Sequence, residues 1–129
     1  PLTNWITAEA ILSWFDNNRD QNWKENLHGL VAKVVAEAKQ KTAVKPEYRD
    51  SVVEPDCLLM MGLIDGEYKA VDINRIVEGY RLAAERGASE EDKTASHEHI
   101  AFLIFMAEQV KPKQNEISKS LKDILRHMA

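Results

Sequence analysis

Three groups of residues carry side chains suited to chemistry. Ser96-His97-Glu98-His99 sets two imidazoles around a carboxylate. Asp65, Glu67 and Asp72 set three carboxylates close together in the chain. Cys57 is the only thiol among the 129 residues. A zinc site on a helix needs two histidines four positions apart, so that both rings leave one face. His97 and His99 are two apart, roughly 200° around a helix. The expectation is two separate environments, with His97 exposed and His99 leaning toward the apolar face that holds Phe102 and Leu103. His28 and His127 are isolated in sequence, each able to meet a carboxylate in space. A single cysteine excludes an intrachain disulfide and any Cys-based zinc cluster. Inside an apolar run, a thiol behaves as a small hydrophobe with a raised pKa. The five glycines stand singly, so no phosphate-cradling loop exists, and no serine sits in a nucleophile elbow. The expectation is a protein without enzymatic activity and without a cofactor.

The carboxylates admit two readings. In the first, Asp65-Gly66 is a turn, because glycine tolerates positive φ, and Asp72 caps the next helix. The second starts from a helix–Asp-Gly–helix join, an acid seven residues on, and a Gly87-Ala88-Ser89-Glu90-Glu91 break after the second helix. Over about residues 58–92 this pattern resembles TerB-like tellurite-resistance domains. The resemblance implies a small helical domain that binds a divalent cation, here through Asp65, Glu67 and Asp72. The chain departs from the family pattern in having Ile64 where an alanine precedes Asp-Gly, and it carries no second copy of the motif.

Charge bears on partners. The chain holds 17 Lys and Arg against 21 Asp and Glu, a net charge of −4. Residues 51–110 carry 12 acids and 5 bases, whereas residues 111–129 carry 2 acids and 5 bases. The acidic middle and basic tail are complementary, within one chain or between two. Lys111, Lys113, Lys119, Lys122 and Arg126 are the candidate contacts for nucleic acid. Glu116 and Asp123 dilute them, so a nucleic-acid partner is not the primary expectation. Trp5, Trp14 and Trp23 crowd into the first 23 residues. Aromatic side chains near a terminus are enriched in contact surfaces. With the last-helix stripe of Ile117, Leu121, Leu125 and Met128, Trp5 and Trp14 form the expected protein interface. The expected partner is a protein, a second copy of the chain first of all.

These residues must be positioned by helices. Ala8, Ile11, Leu12 and Phe15 follow helical spacing after Thr7, which is expected to cap the first helix. Asn22, with Glu25, is expected to cap a second helix carrying Leu27, Leu30, Val31, Val34, Val35 and Ala38. Gly29 in that helix points to a close neighbour. Pro46 to Val52 reads as a short helix. Cys57 to Ile64 is apolar on every side and reads as a buried helix, opened by Pro55 and Asp56. Ile73, Ile76, Val77, Tyr80, Ala83 and Ala84 make the face of the next, which ends at Gly87. Ser89 and Asp92 cap a helix whose Ile100–Ala107 run is expected to be buried on most sides. A last helix starts near Lys113.

The chain is expected to be all-α, one domain over residues 1–129, an irregular bundle of about six helices. Hydrophobic residues at 44% and charged residues at 29% fit a globular domain that buries its own core. No apolar run approaches the ~18 residues of a membrane span. Pro1-Leu2-Thr3-Asn4-Trp5 lacks the basic-then-apolar layout of a secretory signal. A cytoplasmic location is expected, with Pro1 following removal of an initiating Met. The functional expectation is a small helical interaction protein of the kind that includes regulators, inhibitors, immunity proteins and accessory factors of mobile elements.

Overall fold

The computed structural model describes residues 2–13, 21–109 and 115–128. The elements are α1 (Leu2–Ser13), α2 (Gln21–Val44), α3 (Tyr48–Ser51), α4 (Val53–Asp65), α5 (Ala70–Ala84), α6 (Glu90–Glu108) and α7 (Asn115–Met128). α3 is a single turn, so six longer helices do the packing. Among the described residues there is no strand, and the helices form a single all-α domain.

α4 holds the centre. Its run from Cys57 to Ile64 is helical, with Cys57, Leu59, Met60, Leu63 and Ile64 all buried. A helix apolar all round needs neighbours all round. α1, α2, α3 and α5 supply them, while α7 packs across both α5 and α6. Leu27 and Val31 of α2, Ile76 of α5, Ile100 and Leu103 of α6 and Ile117, Leu121 and Ile124 of α7 complete the core. Each fully buried Leu or Ile contributes about 1.5–3 kcal/mol.

Several helix boundaries differ from the sequence expectation. α1 begins at Leu2, so Thr7 lies inside the helix and does not cap it. Leu2 and Ile6 stand eight and four positions before buried Ala10, which carries the helical register back past Thr7. α2 begins at Gln21, which puts Asn22 within its first turn. α5 begins at Ala70, with Lys69 as an N-cap that makes no side-chain bond. Asp72 is therefore a first-turn acid facing the positive end of the helix dipole. α6 is not buried on most sides. Ile100, Leu103 and Ala107 face inward, while Phe102 and Phe105 are exposed. The Ser89–Asp92 capping box is present, with Asp92 N–H donating to Ser89 Oγ at 3.1 Å and Ser89 N–H to Asp92 Oδ2 at 2.9 Å. Gly87 ends the α5 segment with a φ of +89°.

Close approach occurs at a glycine other than Gly29. Nothing lies within 4 Å of a Cβ placed at Gly29. At Gly62 a Cβ would fall 1.9 Å from Cε1 of Tyr68. Gly66, in the left-handed region at φ +82°, ends α4 and folds the chain back, so that Tyr68 lies over Gly62. Tyr68 then donates its hydroxyl to the Leu59 carbonyl. The two glycines give opposite expectations. Gly29→Ala should raise stability by up to about 1 kcal/mol through helix propensity. Gly62→Ala should lower it by about 1–3 kcal/mol, because the Tyr68 ring must leave. Urea melts of the two variants check both signs.

Candidate functional site

The described residues with the most unusual surroundings lie where α3, α4, α5 and α6 converge. Val52 ends α3 and begins α4 with one set of α-region angles. Pro55 follows at the third position of α4, where an N–H has no helical partner to lose. Asp56 comes next, in the first turn. Gly79 of α5 sits against Pro55, with space for a Cβ only at 3.0 Å, so α5 comes close enough for Tyr80 to reach α4. Tyr80, itself buried, donates its hydroxyl to Asp56 Oδ1. From the other side, Tyr48 of α3 donates to the Asp92 carbonyl of α6 at 3.3 Å and shares a 3.0 Å hydrogen bond with Ser96 Oγ.

Two cavities flank the Tyr48–Ser96 bond. The smaller, about 210 Å³, is lined by Asp56, His99, Tyr48 and Ser96 together with Thr7, Val52, Met60 and Ala95. Among the described residues, no lysine or arginine lines it. The larger, about 620 Å³, has Tyr48 and Tyr80 on its wall and Arg81, Lys93, His97 and His127 around it. His97 and His99 are both half-buried and open into different cavities, as two positions apart on a helix requires. His97 is thus less exposed than the sequence indicated.

Electrostatics single out Asp56. Burial pushes its carboxyl up, and this outweighs the Tyr80 hydrogen bond and the charge of His99, which both pull it down. A helix N-terminus favours a carboxylate by about 0.3–1 kcal/mol, less than the cost of withdrawing it from water. The same region raises the tyrosines. Burial lifts Tyr80 well above 10, with the Asp56 charge adding to it, and burial lifts Tyr48 against the opposing Ser96 bond. Among the described residues, Asp56 Oδ2 and the His99 ring have no hydrogen-bond partner. The cavity therefore presents acceptors and a carboxylate without a fixed positive charge.

The other residues singled out in the sequence lie elsewhere. Asp65 accepts a 2.8 Å contact from His28 Nε2, which ties the end of α4 to α2. Glu67 is exposed and Asp72 sits on α5. Among the described residues, no group of three or more His, Cys, Asp or Glu is placed to hold a metal ion. Cys57 is buried, and burial pushes its thiol up to about 12, with Asp56 and Glu54 adding. Lys119, Lys122 and Arg126 pair with Glu116, Glu108 and Asp123. Lys111 and Lys113 lie outside the described residues, as do Trp14 and the side chain of Trp5. In α7, Ile117 and Leu121 are already covered by the chain's own core, while Leu125 and Met128 are half-buried. His127 Nδ1 meets the Asp123 carbonyl at 2.8 Å.

Sequence reasoning missed Asp56, Tyr48, Tyr80, Ser96 and His99 as a group. One signal was there: Ser96 and His99, three apart, share a face with Leu103 and so had to turn inward with it. Comparison of the chain with protein-family models, curated proteins and solved structures found no match in any of the three. The TerB-like resemblance rests on residues 58–92 alone.

A buried, raised carboxyl has a signature in stability. Its favourable contribution is complete below the ordinary value of 3.8 and is lost as pH rises through the raised value. Asp56→Asn keeps an acceptor for Tyr80 and removes the charge. It should melt above the unsubstituted protein at pH 7, by on the order of 4 °C, and the gap should close on acidification toward about pH 4. Paired thermal melts across that range check it.

Proposed function

We propose that this protein is a non-enzymatic interaction module that acts by helix–helix pairing, with a second copy of itself as the first partner. The observation that carries the reading is the outer face of α6. Phe102 and Phe105 are 46% and 61% exposed there and stand one turn apart. Among the described residues, the other exposed large apolar side chains, Leu12, Val44, Val71 and Leu82, lie singly on α1, α2 and α5. Scattered exposed residues are ordinary, whereas a contiguous aromatic pair marks a contact surface.

Charge on the same side of the molecule favours a copy of this chain. The first half of α6 carries Glu90, Glu91 and Glu98, all exposed. At its other end Glu108 binds Lys122 of α7 at 2.9 Å, which brings a basic side chain alongside. Antiparallel pairing of two α6 helices about the phenylalanines lays the acidic half of each copy toward the Lys122 end of the other. That arrangement is two-fold and closed. Glu98, Phe102, Phe105 and Gln109 also follow the alternating four-and-three spacing of a two-helix seam.

Magnitudes set the strength. The exposed parts of two phenylalanines offer about 200 Å² per copy, or about 400 Å² in a pair. At ~25 cal/mol/Å² this is about 10 kcal/mol gross, against roughly 4–15 kcal/mol lost on association. The reading is therefore a weak dimer that depends on concentration. Sedimentation velocity between about 5 and 300 µM should show the sedimentation coefficient rising with concentration. Phe102→Ser with Phe105→Ser should leave a folded monomer throughout. Raising salt to about 0.5 M should weaken the association by screening the Glu98 and Lys122 ends. A monomer at about 300 µM with both phenylalanines intact would overturn the self-pairing.

A further inference from the structure

We propose that the cavity between α3, α4 and α6 is a binding site for a small organic cation, a primary ammonium carried on a short apolar body. Asp56 lies on its wall with Oδ1 taken by Tyr80 and Oδ2 without a partner among the described residues. His99, equally without a hydrogen-bond partner there, lies on the same wall. Ser96 supplies a hydroxyl oxygen. An ammonium has three N–H donors, and the wall offers a carboxylate oxygen, an imidazole nitrogen and a hydroxyl to receive them. Charge-assisted bonds of this kind are the strong ones.

The rest of the lining fits the body of such a ligand. Val52 and Met60 are apolar, and Tyr48 adds an aromatic ring to the lining. A volume of about 210 Å³ matches roughly seven water molecules, enough for a short unbranched amine and too small for a peptide. An anion would meet Asp56 with no lysine or arginine among the described residues of the wall to offset it. Among the described residues a divalent metal would find one carboxylate and one imidazole, short of the three such ligands of a protein metal site. A half-buried carboxylate with one oxygen unmet gains a charge-assisted bond when an ammonium meets that oxygen.

The test uses n-butylammonium chloride as the probe and NMR of the full chain with labelled methionine methyls and histidine rings. The Met60 methyl and the His99 ring should shift saturably, with a Kd of about 1 mM, as suits so small a ligand. n-Butanol, of the same shape without charge, should bind at least about tenfold more weakly. D56N should lose at least about tenfold in affinity while melting no lower than the unsubstituted protein, so that lost binding is not lost folding. Ala95→Leu, which fills the cavity and keeps Asp56, should also abolish the shifts. The proposal is overturned if n-butanol binds as well as the amine, or if D56N keeps its affinity. It is also overturned if zinc or magnesium chloride saturates the same signals while the amine does not. Absence of any saturable shift at about 50 mM amine overturns it as well.

Discussion

α4 is apolar on every side, and most of the molecule follows from the need to enclose it. No single neighbour can cover such a helix. α2 takes one flank, α5 another, α1 and the single turn of α3 the remainder. The connections must be short and sharply turned for so many elements to reach one helix. Gly66 supplies the sharpest of these turns, and the bare backbone of Gly62 accepts the Tyr68 ring that the turn brings back. α6 joins later, through α7 and through the inward face of Ile100 and Leu103. Its outward face is left with two phenylalanines, since one side of a helix is all the core requires.

Enclosing α4 also encloses its first turn. Asp56 stands one residue before Cys57, at the edge of the greasy run, and is left half-buried once α5 and α6 have packed. Burial outweighs the favourable helix terminus and the Tyr80 bond. The site is thus a by-product of the packing in its location, while its contents are set by four separate elements. Tyr48, Asp56, Tyr80 and His99 are drawn from four helices, with Tyr48 and His99 51 positions apart.

That spread explains what could be read in advance. Helix periodicity is a local property, so the stripes of α2, α5 and α7 were legible, and so were the Ser89 cap and the apolar run of α4. Starts were less so. Thr7, Asn22 and Asp72 all have cap chemistry, but Leu2 and Ile6 carry α1 past the first, and α2 and α5 begin one and two residues before the others. Facing was harder still. The run Ile100–Ala107 is apolar throughout, and only the placement of α7 decides that Leu103 goes in while Phe102 stays out. The same holds for α7, whose stripe could meet a partner or its own core; Ile117 and Leu121 meet the core. The cluster around Asp56 had no sequence signature beyond the shared face of Ser96 and His99, because its members come together across helix interfaces. Asp65 was conspicuous beside Gly66, yet what it meets is His28, 37 residues away.

The hydrogen bond between Tyr48 and Ser96 is a partition one side chain thick, with a cavity on each side. A molecule entering either space and displacing that ring changes the volume of the other. Occupancies of the two spaces are then linked variables, and by reciprocity whatever the first ligand does to the affinity of the second, the second does to the first. A bundle whose helices stay still can in this way let one compartment report on the contents of the next.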